Sequence, residues 1–406
     1  MRVLQLTRLV RYVTASGAAC ALALAPGLVP VHQPVPAHLR LDDAGECTYP
    51  AQPIKSEPWS LQRVMLDQLW QNSQGKGVSV AVIDTGVDAR NPQLKDAVDR
   101  RDGFDLIDNK GDGTNDTVGH GTKVAGIIAA RPAAGTGFVG LAPQATVIPV
   151  RQNDDQGNGN AGTLAQAIRK SVAAGAKVIN ISQDTTGGPD AQLAQAVQYA
   201  LGQDVVVVAA AGNNGTGGQQ NTTYPAAFPG VLAVGASDRN NERADFSQSG
   251  PFVGVAAPGV DMVSTVPIGG QCVDNGTSFA APYVAAVAAL IRAKHHDWHE
   301  QQVVAQIEQT AERVDPGHNN FIGWGVVDPV RALTDDAKPI DEPVADKALT
   351  KGGAKVQPAA LTLGETPQHR AERTATYALG AAAVLVAVIV GGAVVVRDAR
   401  RRRTTT

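Results

Sequence analysis

Cysteine is scarce in this chain, with three in 406 residues. That is too few for a disulfide-built scaffold or a cysteine-rich metal site. Charge is modest too, at 18% of residues against 43% apolar, a balance that excludes global disorder. A basic middle is missing. Residues 1–37 hold three arginines and no acid, and the last ten hold five arginines and one aspartate. Setting both ends aside leaves 27 basic against 37 acidic residues, so the overall −3 hides a middle of about −10. A phosphate backbone wants a basic face, so no nucleic-acid partner is expected. No internal repeat is visible, and the length suits one large domain with appendages.

Both ends read as addresses. Arg2, Arg8 and Arg11 precede an uncharged stretch from Tyr12 to Val31, broken by Pro26 and Pro30, and Val35-Pro36-Ala37 offers a small residue for cleavage. This pattern predicts a secretory signal peptide over 1–37. Cys20 is not a lipidation site, because Gly17 stands where a leucine is needed. At the other end, Thr374 to Val396 is 23 residues without a charge, followed by Arg397 and Arg400 to Arg403. Roughly 20 apolar residues span a bilayer, and positive charge stays cytoplasmic. The expected topology is a single-pass cell-membrane protein with span 374–396, a basic cytoplasmic tail 397–406 and everything before the span outside. Residues 336–373 contain four prolines and no sustained apolar period, which predicts a flexible tether.

Between these ends, β-branched apolar runs recur at Val78–Ile83, Val147–Val150, Val178–Ile181, Val205–Ala210 and Val231–Val234. Helical patterns at Thr163–Ala174 and Ala191–Leu201 separate some of them. Such alternation predicts an α/β fold, a parallel sheet with helices on both faces. Sites in such sheets lie beyond the carboxyl ends of the strands. Asp84 follows the first run, and Gly212 and Asn213 follow the fourth.

Four segments carry chemistry. They are Val80-Ala-Val-Ile-Asp84-Thr-Gly-Val-Asp88, Gly119-His120-Gly121-Thr122, Ala210-Ala-Gly-Asn213-Asn-Gly215 and Asn275-Gly276-Thr277-Ser278-Phe-Ala-Ala-Pro282. Ser278 opens a helical run from Phe279 to Arg292, with Pro282 placed in its first turn. Free N–H groups and the positive dipole end there would stabilise an oxyanion. A serine nucleophile needs a base, which His120 can supply, and a carboxylate to orient the imidazole, which Asp84 can supply. The Asn213 amide can donate to an oxyanion beside the Ser278 N–H. Taken singly, a serine at a helix start is usually a cap, and an aspartate after a strand usually a turn residue.

Together, in this order, the four segments resemble the subtilisin-like serine proteases (subtilases). Gly140-Leu-Ala-Pro143, Asp245-Phe-Ser247, Val255-Ala-Ala-Pro-Gly259 and Gly323-Trp-Gly-Val-Val-Asp328 add to the likeness, which runs from about Trp59 to Leu333. The resemblance implies a catalytic domain at 59–335, with Asp84, His120 and Ser278 as triad and Asn213 as oxyanion donor. It implies serine endopeptidase activity on secreted or envelope proteins with no cofactor; no metal site is assigned, although subtilases do bind calcium at loops. The architecture is further similar to the mycosins, membrane-anchored subtilases of type VII secretion systems. That likeness implies a secretion membrane complex as partner. A structural subunit that stabilises such a complex, with proteolysis secondary, is the rival reading.

Two features depart from the wider family. Residues 38–58 are too short for a folding propeptide and read as an N-terminal extension. Ser182-Gln183-Asp184 stands where many subtilases have Ser-Leu-Gly, so specificity does not carry over. Loss of the signal peptide would leave Cys47 and Cys272 in an oxidising compartment. A disulfide between them is expected, with two unpaired thiols as the alternative. Two metal patterns fail. Phe104–Asp116 is acidic, but Lys110 and Gly119 occupy ligand positions of an EF-hand, so a solvated loop is expected. His295, His296, His299 and Glu300 lack zincin spacing and read as an exposed helix end.

Overall fold

A computed structural model describes residues 47–184, 188–218, 221–347 and 367–403. The expected signal peptide, the start of the extension and residues 348–366 of the expected tether lie outside the described residues.

Two short helices, α1 (Trp59–Gln62) and α2 (Leu66–Asn72), lead into β1 (Ser79–Asp84) and the two-residue β2 (Phe104–Asp105). Then follow α3 (His120–Ala129), β3 (Thr146–Arg151), α4 (Ala161–Ala173), β4 (Val178–Ile181), α5 (Ala191–Gly202) and β5 (Val206–Ala210). The chain continues through β6 (Leu232–Ser237), β7 (Val253–Pro258), β8 (Met262–Thr265) and β9 (Gln271–Asp274). It closes with α6 (Thr277–Lys294), α7 (Glu300–Thr310), α8 (Pro329–Thr334) and α9 (Pro367–Arg403).

Seven strands form one parallel sheet in the order β2-β3-β1-β4-β5-β6-β7. Its strands are apolar on both faces because both faces are covered. Val80 and Val82 point into a core shared with α3, α6 and α7, and Ala81 and Ile83 into a second core under α4 and α5. This is the two-residue side-chain period of a strand with two buried sides. Local chemistry starts the outer helices. Asn160 Oδ1 accepts from Thr163 N (2.9 Å) to cap α4, and Asp190 Oδ1 from Leu193 N (2.8 Å) to cap α5. The central α6 is buried along nearly its whole length, and its many alanines let it pack close to the sheet.

Topology positions the site. From β1 the chain builds β3 on one side, then returns to place β4 on the other side of β1. That reversal opens a crevice at the carboxyl end of β1, where Asp84 stands. Strand β7 and the antiparallel pair β8–β9 are elements that the sequence periodicity did not single out. Gly254 and Pro258 interrupt the β-branched pattern of β7, and β8–β9 is too short to show one.

The extension lies against this frame. Ala51 N donates to Gly269 O (3.0 Å), Ile54 N to Gln271 Oε1 (2.8 Å), and Gly137 N to Ile54 O (3.0 Å). The domain also reaches beyond residue 335, into the segment expected to be tether. Asp336 pairs with Lys294 (2.5 Å) and His295 (2.6 Å), Gln302 Nε2 donates to Asp341 Oδ1 (2.9 Å), and Val344 N donates to Gln309 Oε1 (2.6 Å). The compact unit accordingly ends at Val344, because these polar side chains bind backbone that composition alone marks as loose.

The second unit contains α9, a 37-residue helix whose most apolar stretch has a mean hydropathy of 2.7. At 1.5 Å per residue its uncharged part is about 35 Å long, enough for a hydrocarbon core of about 30 Å. Leu379, Val384 and Ile389 are exposed on it. Among the described residues it is the one helix long and apolar enough to cross a membrane.

Candidate active site

Asp84 ends β1, buried, with its backbone carbonyl accepting from Gln152 N (2.9 Å) and Asn153 N (3.1 Å). Its carboxylate takes Thr85 N on Oδ1 (2.8 Å) and faces His120, the first residue of α3. His120 Nδ1 lies 2.8 Å from Asp84 Oδ1 and 2.9 Å from Oδ2, so Nδ1 carries the proton and donates it. Glycine makes this approach possible. A Cβ on Gly121 would lie 2.0 Å from Gly86 O, so any larger residue would push α3 off the end of β1. Burial disfavours the imidazolium, yet the adjacent Asp84 carboxylate outweighs burial and raises the His120 pKa above its ordinary value.

Asp116 was hidden in the segment expected to be a solvated loop. It is buried, and its carboxylate accepts from Thr85 Oγ1 (2.8 Å), Gly119 N (2.7 Å), Thr122 N (2.9 Å) and Thr122 Oγ1 (2.5 Å). It thereby ties the residue after Asp84 to the first turn of His120's helix. Burial raises its pKa, opposed by these donors. Farther along the same segment, the buried Arg151 guanidinium takes Asp105 (2.8 Å), Asp108 (2.7 Å) and, from β3's own loop, Asp155 (2.9 Å). The segment is a solvated loop only in its middle, where residues 108–111 are exposed; Asp105 is buried, neutralised by a guanidinium from the neighbouring strand. The only sequence signal was the pairing of Arg151 at a strand end with an acidic loop of otherwise unknown position.

Ser278 is the second residue of α6. Its Oγ donates to Ser182 O (2.9 Å), and Ser182 Oγ donates back to Ser278 O (2.8 Å). Pro282 explains why that carbonyl is available. The helix starts at Thr277, so Pro282 is its sixth residue and lies in the second turn, not the first. Its missing N–H is the one that would have bonded Ser278 O. Asn213, after β5, accepts on Oδ1 from Thr277 N and Thr277 Oγ1 (both 2.9 Å). Its Nδ2 lies by Gly276, 3.5 Å from where a Cβ on that glycine would stand. The His120 ring packs on Phe279, with centroids 5.4 Å apart, beside Ser278. Asp84, His120, Asn213 and Ser278 thus converge from four separate segments. Cys47 and Cys272 are joined by a disulfide, with Cα atoms 6.1 Å apart.

Among the described residues, no group of three or more His, Cys, Asp or Glu is arranged to hold a metal ion. In the histidine-rich segment, His296 and His299 are exposed, but His295 bonds Asp336 and stacks on Trp298 with centroids 4.1 Å apart.

Chain order here is aspartate, histidine, serine, the order of subtilisin rather than of chymotrypsin. The chain belongs to the subtilase family (Peptidase_S8), whose sequence profile matches residues 75–325, and is a subtilisin-type serine endopeptidase. It is 37% identical over 280 residues to thermitase of Thermoactinomyces vulgaris, covering 69% of this chain and 97% of thermitase. It is 40% identical over 278 residues to a thermophilic serine proteinase of Bacillus sp. (strain AK1), covering 67% of this chain and 66% of that one. Among solved structures, the MycP3 protease from the type VII (ESX-3) secretion system superposes with a TM-score of 0.64 at 36% identity, over 70% of this chain and 92% of that one. A serine protease MycP1, described as an essential component of the type VII (ESX-1) secretion system, gives a TM-score of 0.63 at 33% identity, over 71% and 91%.

Proposed function

We propose that Asp84, His120 and Ser278 act as a catalytic triad with Asn213 as oxyanion donor. The enzyme would cleave secreted or envelope proteins outside the membrane, held there by residues 374–396 and working with a type VII secretion system. The observation that carries the catalytic part is the contact of both Asp84 oxygens with His120 Nδ1. It leaves the His120 Nε2 lone pair free to act as base. Ser278 Oγ, which bonds Ser182 O in this structure, would leave that carbonyl and turn to Nε2 when substrate is bound. Oγ then attacks the peptide carbonyl while its proton passes to Nε2. The oxyanion takes Asn213 Nδ2 and the Ser278 N–H at the start of α6. Asp84 stabilises the imidazolium, which then protonates the leaving amine. A water activated by Nε2 releases the acyl group.

The secretion role rests on the likeness to the mycosin structures and on the apolar C-terminal helix with its trailing arginines. A second reading, a structural subunit with proteolysis secondary, draws on the description of MycP1 as an essential component. One comparison separates them. Ser278→Ala is expected to abolish peptide hydrolysis, and full activity in that variant overturns the triad. If secretion survives Ser278→Ala but not deletion of the whole chain, the structural role is the principal one.

A further inference from the structure

We infer that Asp184 makes this enzyme select a lysine or arginine side chain on the residue whose carbonyl is attacked. The inference deepens the proposed proteolytic reading of the same groove and rests on it. Asp184 stands two residues beyond Ser182, whose hydroxyl and carbonyl both bond Ser278. The segment is held on its other side too. Gln183 Nε2 donates to Gln152 Oε1, and Gln152 Nε2 to Thr163 Oγ1 (2.8 Å). The Asp184 carboxylate therefore follows a segment tied on both sides, three residues beyond the end of β4.

Its direction is also defined. A Cβ placed on Gly212 would lie 2.8 Å from Asp184 Oδ2, so this oxygen stands against the backbone of the residue directly before Asn213. Gly212 has φ 102°, which favours glycine independently. The carboxylate consequently lies between the segment that bonds the serine and the residue that offers the oxyanion amide. A peptide carbonyl placed on Ser278 Oγ, with its oxygen toward Asn213 Nδ2, has its own side chain one carbon away. On this inference that side chain enters the strip bordered by residues 182–184 and 212–213, where Asp184 Oδ2 stands against Gly212.

Among the described residues, no cation lines the adjoining cavity. A neighbouring cavity of about 270 Å³ is lined by Gln152, Asn158, Asn160, Leu164 and Gln183, with Asp184 its one charged group. Among the described residues, the carboxylate bonds only its own N–H and forms no ion pair. Burial raises its pKa, as expected of a desolvated acid without a partner. An apolar substrate side chain would desolvate it further and leave it unpaired, and an acidic one would add repulsion. A lysine or arginine completes it.

The test uses the full chain in detergent and three peptides that differ only in the residue before the scissile bond, which is Lys, Met or Glu. Turnover is measured on the wild type and on Asp184→Asn and Asp184→Lys. Equilibrium binding of the same uncleaved peptides is measured on Ser278→Ala. The wild type is expected to favour Lys over Met by about 10–100-fold in kcat/KM, and Ser278→Ala to bind the Lys peptide more tightly. Asp184→Asn should bring the Lys-to-Met ratio to within about threefold, and Asp184→Lys should move the preference toward Glu. Equal treatment of Lys and Met in turnover and binding, or an unchanged ratio in Asp184→Asn, overturns the inference. The wild-type ratio decides the matter even if neither variant folds. Selective binding of the Lys peptide without hydrolysis upholds Asp184 and overturns the triad reading. Hydrolysis of all three peptides alike does the reverse.

Discussion

At the scale of single residues, the pair Asp84–His120 dictates a pH dependence. In the proposed triad His120 acts as base only when neutral, and the adjacent carboxylate raises its pKa. The sign follows directly: activity is absent while His120 is protonated and rises as pH passes upward through its folded pKa. The rising, acidic limb of kcat/KM is expected to have a midpoint above the ordinary histidine value of about 6.5, and Asp84→Ala to move any residual activity's midpoint down. A wild-type midpoint at or below that value contradicts the assignment. As the proposed oxyanion donor, Asn213 would contribute differently, because its Nδ2 would meet charge only as the oxyanion forms. Asn213→Ala is expected to lower kcat by about 10²–10³, the scale known for this donor in subtilisin, with KM nearly unchanged. A change confined to KM argues against the role. Asp116 shows how a buried acid escapes a reading of the sequence. Its four donors come from three chain positions that only folding assembles. Asp116→Ala should lower stability by at least about 2 kcal/mol in chemical unfolding, since it leaves buried donors without an acceptor.

Elements bring these residues together through their ends. Strand β1 delivers Asp84 at its carboxyl end, α3 delivers His120 in its first turn, and α6 delivers Ser278 in its own. Strands β1, β3, β4, β5 and β6 and helices α4 and α5 follow from apolar periodicity, and their observed bounds differ from the periodic ones by at most three residues. The start of α6 was harder to place, because Gly276 caps it without a side chain and Pro282 lies deeper than a first-turn proline. That depth has a consequence for the site. Pro282→Ala would supply an N–H for Ser278 O and set it in competition with Ser182 Oγ. The expected outcome is an unchanged or higher melting temperature with kcat lowered about tenfold, as the first turn tightens and Ser278 moves. Unchanged kcat would show that the Ser182–Ser278 exchange does not position the serine.

For the whole molecule, the disulfide and the apolar helix govern stability and placement. Cys47 and Cys272 are 225 residues apart, so breaking their bond restores a long loop to the unfolded chain. Chain entropy sets an upper bound of about 5 kcal/mol on the loss in Cys47→Ser, measured by denaturant unfolding of the unreduced protein. The extension would keep Tyr49 Oη on Val118 O (2.8 Å) and the contacts of Ala51 and Ile54. Its attachment beside α3 should therefore loosen rather than vanish. The proposed topology predicts that protease added to cells stripped of wall digests the region before residue 374 and spares a tag placed after Thr406. Digestion of the tag in sealed cells reverses the orientation.

What the sequence determined by itself was everything encoded over a few consecutive residues. Apolar periods marked the strands, composition marked the C-terminal helix, and short glycine-flanked motifs marked Asp84, His120, Asn213 and Ser278 as candidates. Only the tertiary structure decided what depends on groups distant along the chain. It buried Asp116 under donors from the residue after β1 and from α3, and it brought Arg151 against acids that had read as a solvated loop. It held residues 336–344 on the domain, and it set Asp184 Oδ2 against Gly212. The physical reason is the same in each case. Apolar burial and backbone propensity are local preferences, visible in order along the chain. The fate of a polar or charged group depends on which partners the fold brings within about 3 Å of it, and sequence spacing does not record that distance.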